Sequence, residues 1–231
     1  MILLAFDTAQ GALSAAVSDG GDLHAAHFEE RTRGHAEALM PLVDSVLKEA
    51  GIGFADLDAL AVTVGPGTFT GLRVGLAAAR GLALARSLPL VGVTTLEAIA
   101  EHAGASADEI TIATFDARRD EVYMQAFASD LEALTPPLLL GLDKAETHLP
   151  EGNLLLVGTG GPLLAERLGK SGRSFRLSSA RPQPDAAALL RIARARIDAQ
   201  GLEAFRVAPE PLYIRAPDAK LPGGRDPGEA A

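Results

Sequence analysis

Apolar and polar positions along the chain fall into blocks whose period changes repeatedly. Residues 2–7 (Ile-Leu-Leu-Ala-Phe-Asp) are apolar until the closing Asp and predict a buried strand. Residues 13–17 and 23–30 predict two more strands, set off by turn residues at 8–11 and by Asp19-Gly20-Gly21-Asp22. From residue 34 to residue 50 the period becomes helical. Leu39, Leu42, Val43, Val46, Leu47 and Ala50 recur at three- and four-residue spacing and form one stripe. Gly51 follows as a C′ residue, while Pro41 predicts either a kink or the true first turn of that helix.

Residues 57–64 predict the next strand, and Gly65, Pro66, Gly67 and Gly71 punctuate a tight loop after it. A helix then runs to Ser87. It carries Gly71, Gly75 and Gly81, each costing about 1 kcal/mol relative to Ala, which predicts close approach to a neighbouring element. Residues 89–93 form a strand, and Thr94 or Thr95 caps a helix through Glu101. The second half repeats this order loosely, with strands at 110–115, 121–128, 138–140 and 154–157. Its helices fall at 143–148, 162–168 and 185–199. The economical architecture is α/β, with one lobe at 1–102 and a second at 103–216 whose last helix packs back on the first. Residues 217–231, rich in Pro, Gly and charge, read as a disordered tail.

At 48% apolar residues over 231 positions, the chain can bury a substantial core. It has no cysteine, which excludes a disulfide framework and thiolate chemistry. No basic segment precedes the first apolar run, and no apolar stretch reaches the roughly 20 residues of a membrane span; a cytoplasmic, non-membrane protein is expected. The net charge of −9 argues against autonomous nucleic-acid binding. Residues 170–206 nevertheless hold eight Lys/Arg against three acids. This local +5 is open to two readings, a solvated face or a contact to a phosphate backbone supplied through a partner.

Asp7-Thr8 closes the first strand, where an Asp can hold a metal-bound water near phosphate and a Thr can donate to phosphate oxygens. Asp116 ends a strand of the second lobe and is a matching carboxylate; both are also ordinary turn residues. The glycine loop, with Gly65 and Gly67, precedes a helix N-terminus and offers backbone N–H groups to an anion. It is no Walker A motif, because Leu72-Arg73 stands where Lys-Ser/Thr belongs. His35 opens the amphipathic helix, but position 39 is Leu, so no histidine pair at i, i+4 exists there for a metal. No G-x-S-x-G elbow occurs.

Six ordered blocks resemble the TsaB family, bacterial partner subunits in the synthesis of threonylcarbamoyladenosine on tRNA. They are I-L-L-A-F-D-T, G-H-A-E-A-L-M-P-L-V-D, V-G-P-G-T-F-T-G-L-R-V-G, P-L-V-G-V-T-T-L-E-A, F-D-A-R-R-D-E-V-Y and P-L-Y-I-R. The resemblance implies an actin-like ATPase fold of two ribonuclease-H-like lobes. It also implies a non-catalytic scaffold that pairs with the transferase TsaD and with itself, is joined by the ATPase TsaE, and meets tRNA only within the complex. The catalytic relative TsaD carries a metal-binding H-x-x-x-H on the helix that here has His35 and Leu39. The expected partner interface is His35, Leu39, Leu42, Val43, Val46 and Arg73. No cofactor is required by the chain itself; ATP or ADP would act at the level of the complex, with Asp7, Thr8, Gly65, Gly67 and Asp116 as a vestigial nucleotide cleft. Two other readings stand beside this one: a stand-alone ATPase or phosphotransferase using those same cleft residues, and a glycoprotease-like metallopeptidase.

Overall fold

The computed structural model describes residues 1–170 and 172–215; the tail expected at 217–231 lies outside them. The first half builds β1 (Ile2–Asp7), β2 (Ala12–Asp19), β3 (Asp22–Glu30), α1 (His35–Ala50), β4 (Ala59–Gly65), α2 (Phe69–Arg86), β5 (Leu90–Thr94) and α3 (Thr95–Glu101). The second half follows with β6 (Glu109–Arg118), β7 (Glu121–Phe127), β8 (Leu138–Gly141), α4 (Leu142–Ala145), β9 (Asn153–Val157), α5 (Gly161–Leu168), β10 (Phe175–Leu177) and α6 (Ala186–Gln200). The short strand β10 has no counterpart in the expected elements. Its three residues are mostly exposed, so they carry no burial pattern to read.

Each half forms a five-stranded sheet, ordered β3-β2-β1-β4-β5 and β8-β7-β6-β9-β10. In both, the first three strands are antiparallel neighbours and the last two join in parallel. The halves are therefore one topology used twice, the duplicated arrangement implied by the family resemblance.

Strand alternation sends Leu4, Phe6, Leu13, Val17, Leu60 and Val62 to the outer face of the first sheet, under α1 and α2. Leu3, Ala5, Ala16, Ala59, Ala61, Val91 and Val93 point to the inner face. What covers that inner face is α6, through Ala186, Leu189, Leu190, Ala193 and Ile197. Conversely, α3 follows the first sheet in sequence but packs Leu96, Ile99 and Ala100 against Ala113, Phe115 and Tyr123 of the second. A cut at 102/103 thus separates the sheets but not their cores, because the halves exchange their last helices. Arg196 of α6 ties the exchange together by donating to the Gly92 carbonyl and to Glu97 of α3.

Two expectations about α1 change. Pro41 lies inside the helix, which begins six residues earlier at His35, so it does not mark the first turn. The expected interface residues Leu39, Val43 and Val46 are 1%, 2% and 0% exposed and belong to the first lobe's own core. Leu42 is partly buried against the same cluster, and His35 is half-buried. The stripe serves the sheet because the antiparallel half of its outer face has no other cover. What α1 shows to solvent is Ala36, Glu37, Met40, Pro41, Asp44, Ser45, Lys48 and Glu49.

Candidate functional site

Asp7 sits at the C-terminal end of β1, on the inner face, at 0% exposure. Its Oδ1 accepts from Thr63 Oγ1 (2.5 Å) and from the Ala9 N–H (3.1 Å). Its Oδ2 is buried and has no partner among the described residues. Burial pushes the carboxyl up to about 7, and the nearby Asp185 carboxylate adds to the rise, while the Thr63 and Ala9 bonds oppose it. Beside it, α6 docks by its N-terminus: the Ala186 N–H donates to Ser14 Oγ (3.0 Å), and Asp185 caps the helix through the Ala187 N–H (2.9 Å).

Thr8 is 1% exposed and donates to the Gly71 carbonyl (2.7 Å). The glycine loop is pressed directly onto this turn. A Cβ at Gly67 would lie 2.5 Å from the Ala9 carbonyl oxygen, and one at Gly71 would overlap the Thr8 carbonyl oxygen. One at Gly75 would stand 2.6 Å from Thr8 Oγ1. From the other side, a Cβ at Gly65 would be 2.7 Å from the Leu212 carbonyl oxygen. Three of the N–H groups at this loop and helix start are engaged as well: Thr68 donates to the Ala9 carbonyl (2.8 Å), Gly71 to Thr68 Oγ1 (3.2 Å) and Leu72 to the Thr68 carbonyl (3.0 Å).

Asp7, Thr8, Gly65 and Gly67 are thus drawn into one tightly packed corner. Asp116, on β6 of the second lobe, has other partners. Its backbone N–H donates to Thr159 Oγ1 (3.1 Å), and its carboxylate takes the Arg118 N–H (2.8 Å) and pairs with the Arg118 guanidinium (3.3 Å). Among the described residues, no three His, Cys, Asp or Glu side chains converge on a point that would hold a metal.

The basic segment 170–206 loses its excess charge on folding. Arg181, Arg194 and Arg206 pair with Asp185, Asp198 and Glu203 inside the segment. Lys170, Arg173, Arg176, Arg191 and Arg196 take Glu166, Glu151, Glu109, Glu101 and Glu97 from outside it. Five outside carboxylates offset the local +5 that the sequence shows.

α2 behaves in the opposite way. Its sequence has three arginines and no acid. Arg80 donates to the Pro209 carbonyl, Arg86 to the Phe54 carbonyl, and Arg73 lies over the Phe69 ring at 3.5 Å. None of the three has a carboxylate partner among the described residues. Between them the helix exposes Phe69 (49%), Ala77, Gly81 and Leu84 (83%), and Met40 (44%) is exposed on the neighbouring α1. Of the expected interface residues, Arg73 alone is exposed. Sequence reasoning passed over Phe69, Leu84, Met40 and Tyr213, although Met40, Phe69 and Tyr213 lie inside three of the blocks that carry the resemblance.

The chain is similar to known proteins along its length. Residues 27–179 match the TsaD family, described as tRNA N6-adenosine threonylcarbamoyltransferase. The tRNA threonylcarbamoyladenosine biosynthesis protein TsaB of Escherichia coli is 34% identical over 96% of this chain and 99% of its own length. Its Haemophilus influenzae namesake is 31% identical over 96% and 98%. A crystal structure from Pseudomonas aeruginosa, described as similar to peptidase YeaZ, superposes with a TM-score of 0.80 at 28% identity, covering 93% of this chain and 99% of that one. The paired sheets have the actin-like ATPase fold. Similar to these relatives from one end of their length to the other, the chain belongs to the TsaB family.

Proposed function

We propose that this protein is an accessory subunit of tRNA threonylcarbamoyladenosine synthesis, which binds a TsaD-type transferase and activates it without catalysing the transfer itself. The observation that carries this reading is the filled corner around the glycine loop. The space at Gly65, Gly67, Gly71 and Gly75 is taken by the chain's own backbone and side chains, and Asp7 and Thr8 have no exposed surface to offer a phosphate. An ATPase built on this fold would need that corner open.

The surface left for a partner is the outer face of α2 with its neighbour α1. Three arginines without carboxylates, beside Phe69, Leu84 and Met40, favour a partner helix that brings acidic and apolar side chains. A second copy of this chain competes for the same face. TsaE and tRNA join at the level of the complex, and ATP or ADP is used there. A cytoplasmic location follows from that role; no helix among the described residues is long and apolar enough to cross a membrane.

Reconstituting threonylcarbamoyl transfer to the tRNA adenosine next to the anticodon, with and without this chain, tests the proposal. Transfer should require it. Equal modification in its absence refutes the role, and binding of ATP–Mg²⁺ by the isolated chain in calorimetry would restore the ATPase reading.

A further inference from the structure

After α6 and a short 3-10 turn the chain enters a stretch without helix or strand, residues 206–215, that touches both lobes. Arg206 donates to the Ser87 carbonyl at the end of α2. Pro209 fills the space beside Gly92, where a Cβ would lie 2.7 Å from its own Cβ, and its carbonyl accepts from Arg80 (2.6 Å). The Leu212 N–H donates to the Val64 carbonyl (2.7 Å), and its side chain joins the outer core of the first lobe. Ile214, two residues on, packs against the inner core of the second lobe. Arg215 pairs with Glu121 at the start of β7 and lies 5.9 Å from the Tyr123 ring centre. Between them Tyr213 meets Phe69, ring centres 5.6 Å apart, and its hydroxyl is 3.5 Å from Arg73 Nε.

We propose that residues 207–215 are an interlobe clamp. Leu212 and Ile214 hold the two lobes at one angle, and Tyr213 fixes Phe69 and Arg73 in the arrangement that a partner docks on. The clamp explains Gly92, whose backbone does not itself call for glycine, and adds a second reason for Gly65, whose φ of 115° already does, since both stand where the strap passes. It also joins the candidate docking face to the second lobe by covalent chain, so a change in lobe angle reaches Phe69 through two residues. The docking half of the proposal rests on the function proposed above; the lobe-angle half does not.

The chain's lack of cysteine permits a direct test. Spin labels at Lys48→Cys on α1 and Glu166→Cys on α5, both three-quarters exposed, report the distance between the lobes. The full chain should give one narrow distribution, and Ile214→Ala should broaden it. Arg215→Gln, a milder change at a side chain only about a quarter exposed, should broaden it less without shifting the thermal midpoint. Both should weaken binding to the transferase in calorimetry, about tenfold if the competent arrangement falls to a tenth of the population. Distributions that superimpose on the parent's overturn the clamp. Broadened distributions with unchanged affinity overturn its docking role. If the parent chain itself fails to bind the transferase, the functional reading falls and the distances alone decide the clamp.

Discussion

Asp7 shows how a single residue can be legible in kind and misread in use. A strand ending in Asp-Thr suggests a phosphate or metal ligand, yet the folded chain seals this carboxyl with one oxygen unpartnered. Its pKa, raised from 3.8 to about 7, has a definite consequence for stability. Between pH 4 and 7 the unfolded carboxyl has lost its proton while the folded one keeps it, so stability falls as pH rises and levels off above 7. Asp7→Asn keeps an acceptor for Thr63 and Ala9 and removes this dependence. Chemical denaturation should show the variant gaining on the parent by about 2–4 kcal/mol more at pH 8 than at pH 4; parallel pH profiles would refute it. The glycines of α2 separate in the same way. Gly71→Ala must overlap the Thr8 carbonyl and should cost about 2–4 kcal/mol. Gly81, with nothing within 4 Å of an added Cβ, should gain about 1 kcal/mol on substitution by Ala. The sequence marked all three helix glycines alike, because neighbours across the fold decide which of them are needed.

Among the elements, α1 and α2 divide their labour. The periodic stripe of α1 was plain in the sequence, but periodicity identifies a buried face without saying which body buries it. Leu39, Val43 and Val46 are buried by their own sheet, so their substitution should unfold the lobe rather than loosen a subunit contact. The docking test therefore belongs on α2. Arg73→Glu and Leu84→Asp each should weaken binding to the transferase by more than about tenfold with an unchanged thermal midpoint. Binding at parental affinity in both would move the interface elsewhere. The contrast between helices is electrostatic: every Lys or Arg of 170–206 has a carboxylate partner in space, whereas Arg73, Arg80 and Arg86 reach carbonyls and a ring. Charge counted along the chain does not show this, since the Glu side chains that offset the segment come from α3, α5, β6 and the loop before β9.

In the whole molecule, the exchange of α3 and α6 makes the lobes interdependent. A fragment of residues 1–102 would leave Leu3, Ala5, Ala61, Val91 and Val93 uncovered, and it should show no cooperative unfolding transition in calorimetry. A compact, cooperatively melting fragment would contradict the exchange. By itself the sequence determined the α/β class, the order of all strands but β10, the helices, the twofold repetition of elements and, through its six blocks, the family. These rest on local periodicity, turn chemistry and contiguous motifs, which a linear reading contains. Only the tertiary structure decided which helix covers which sheet, that the glycine loop is filled by Thr8, Ala9 and Leu212, that the arginines of 170–206 are neutralised while those of α2 are not, and that the strap at 207–215 spans both lobes. Each of these depends on residues tens to more than a hundred positions apart meeting in space, and sequence spacing carries no measure of that distance.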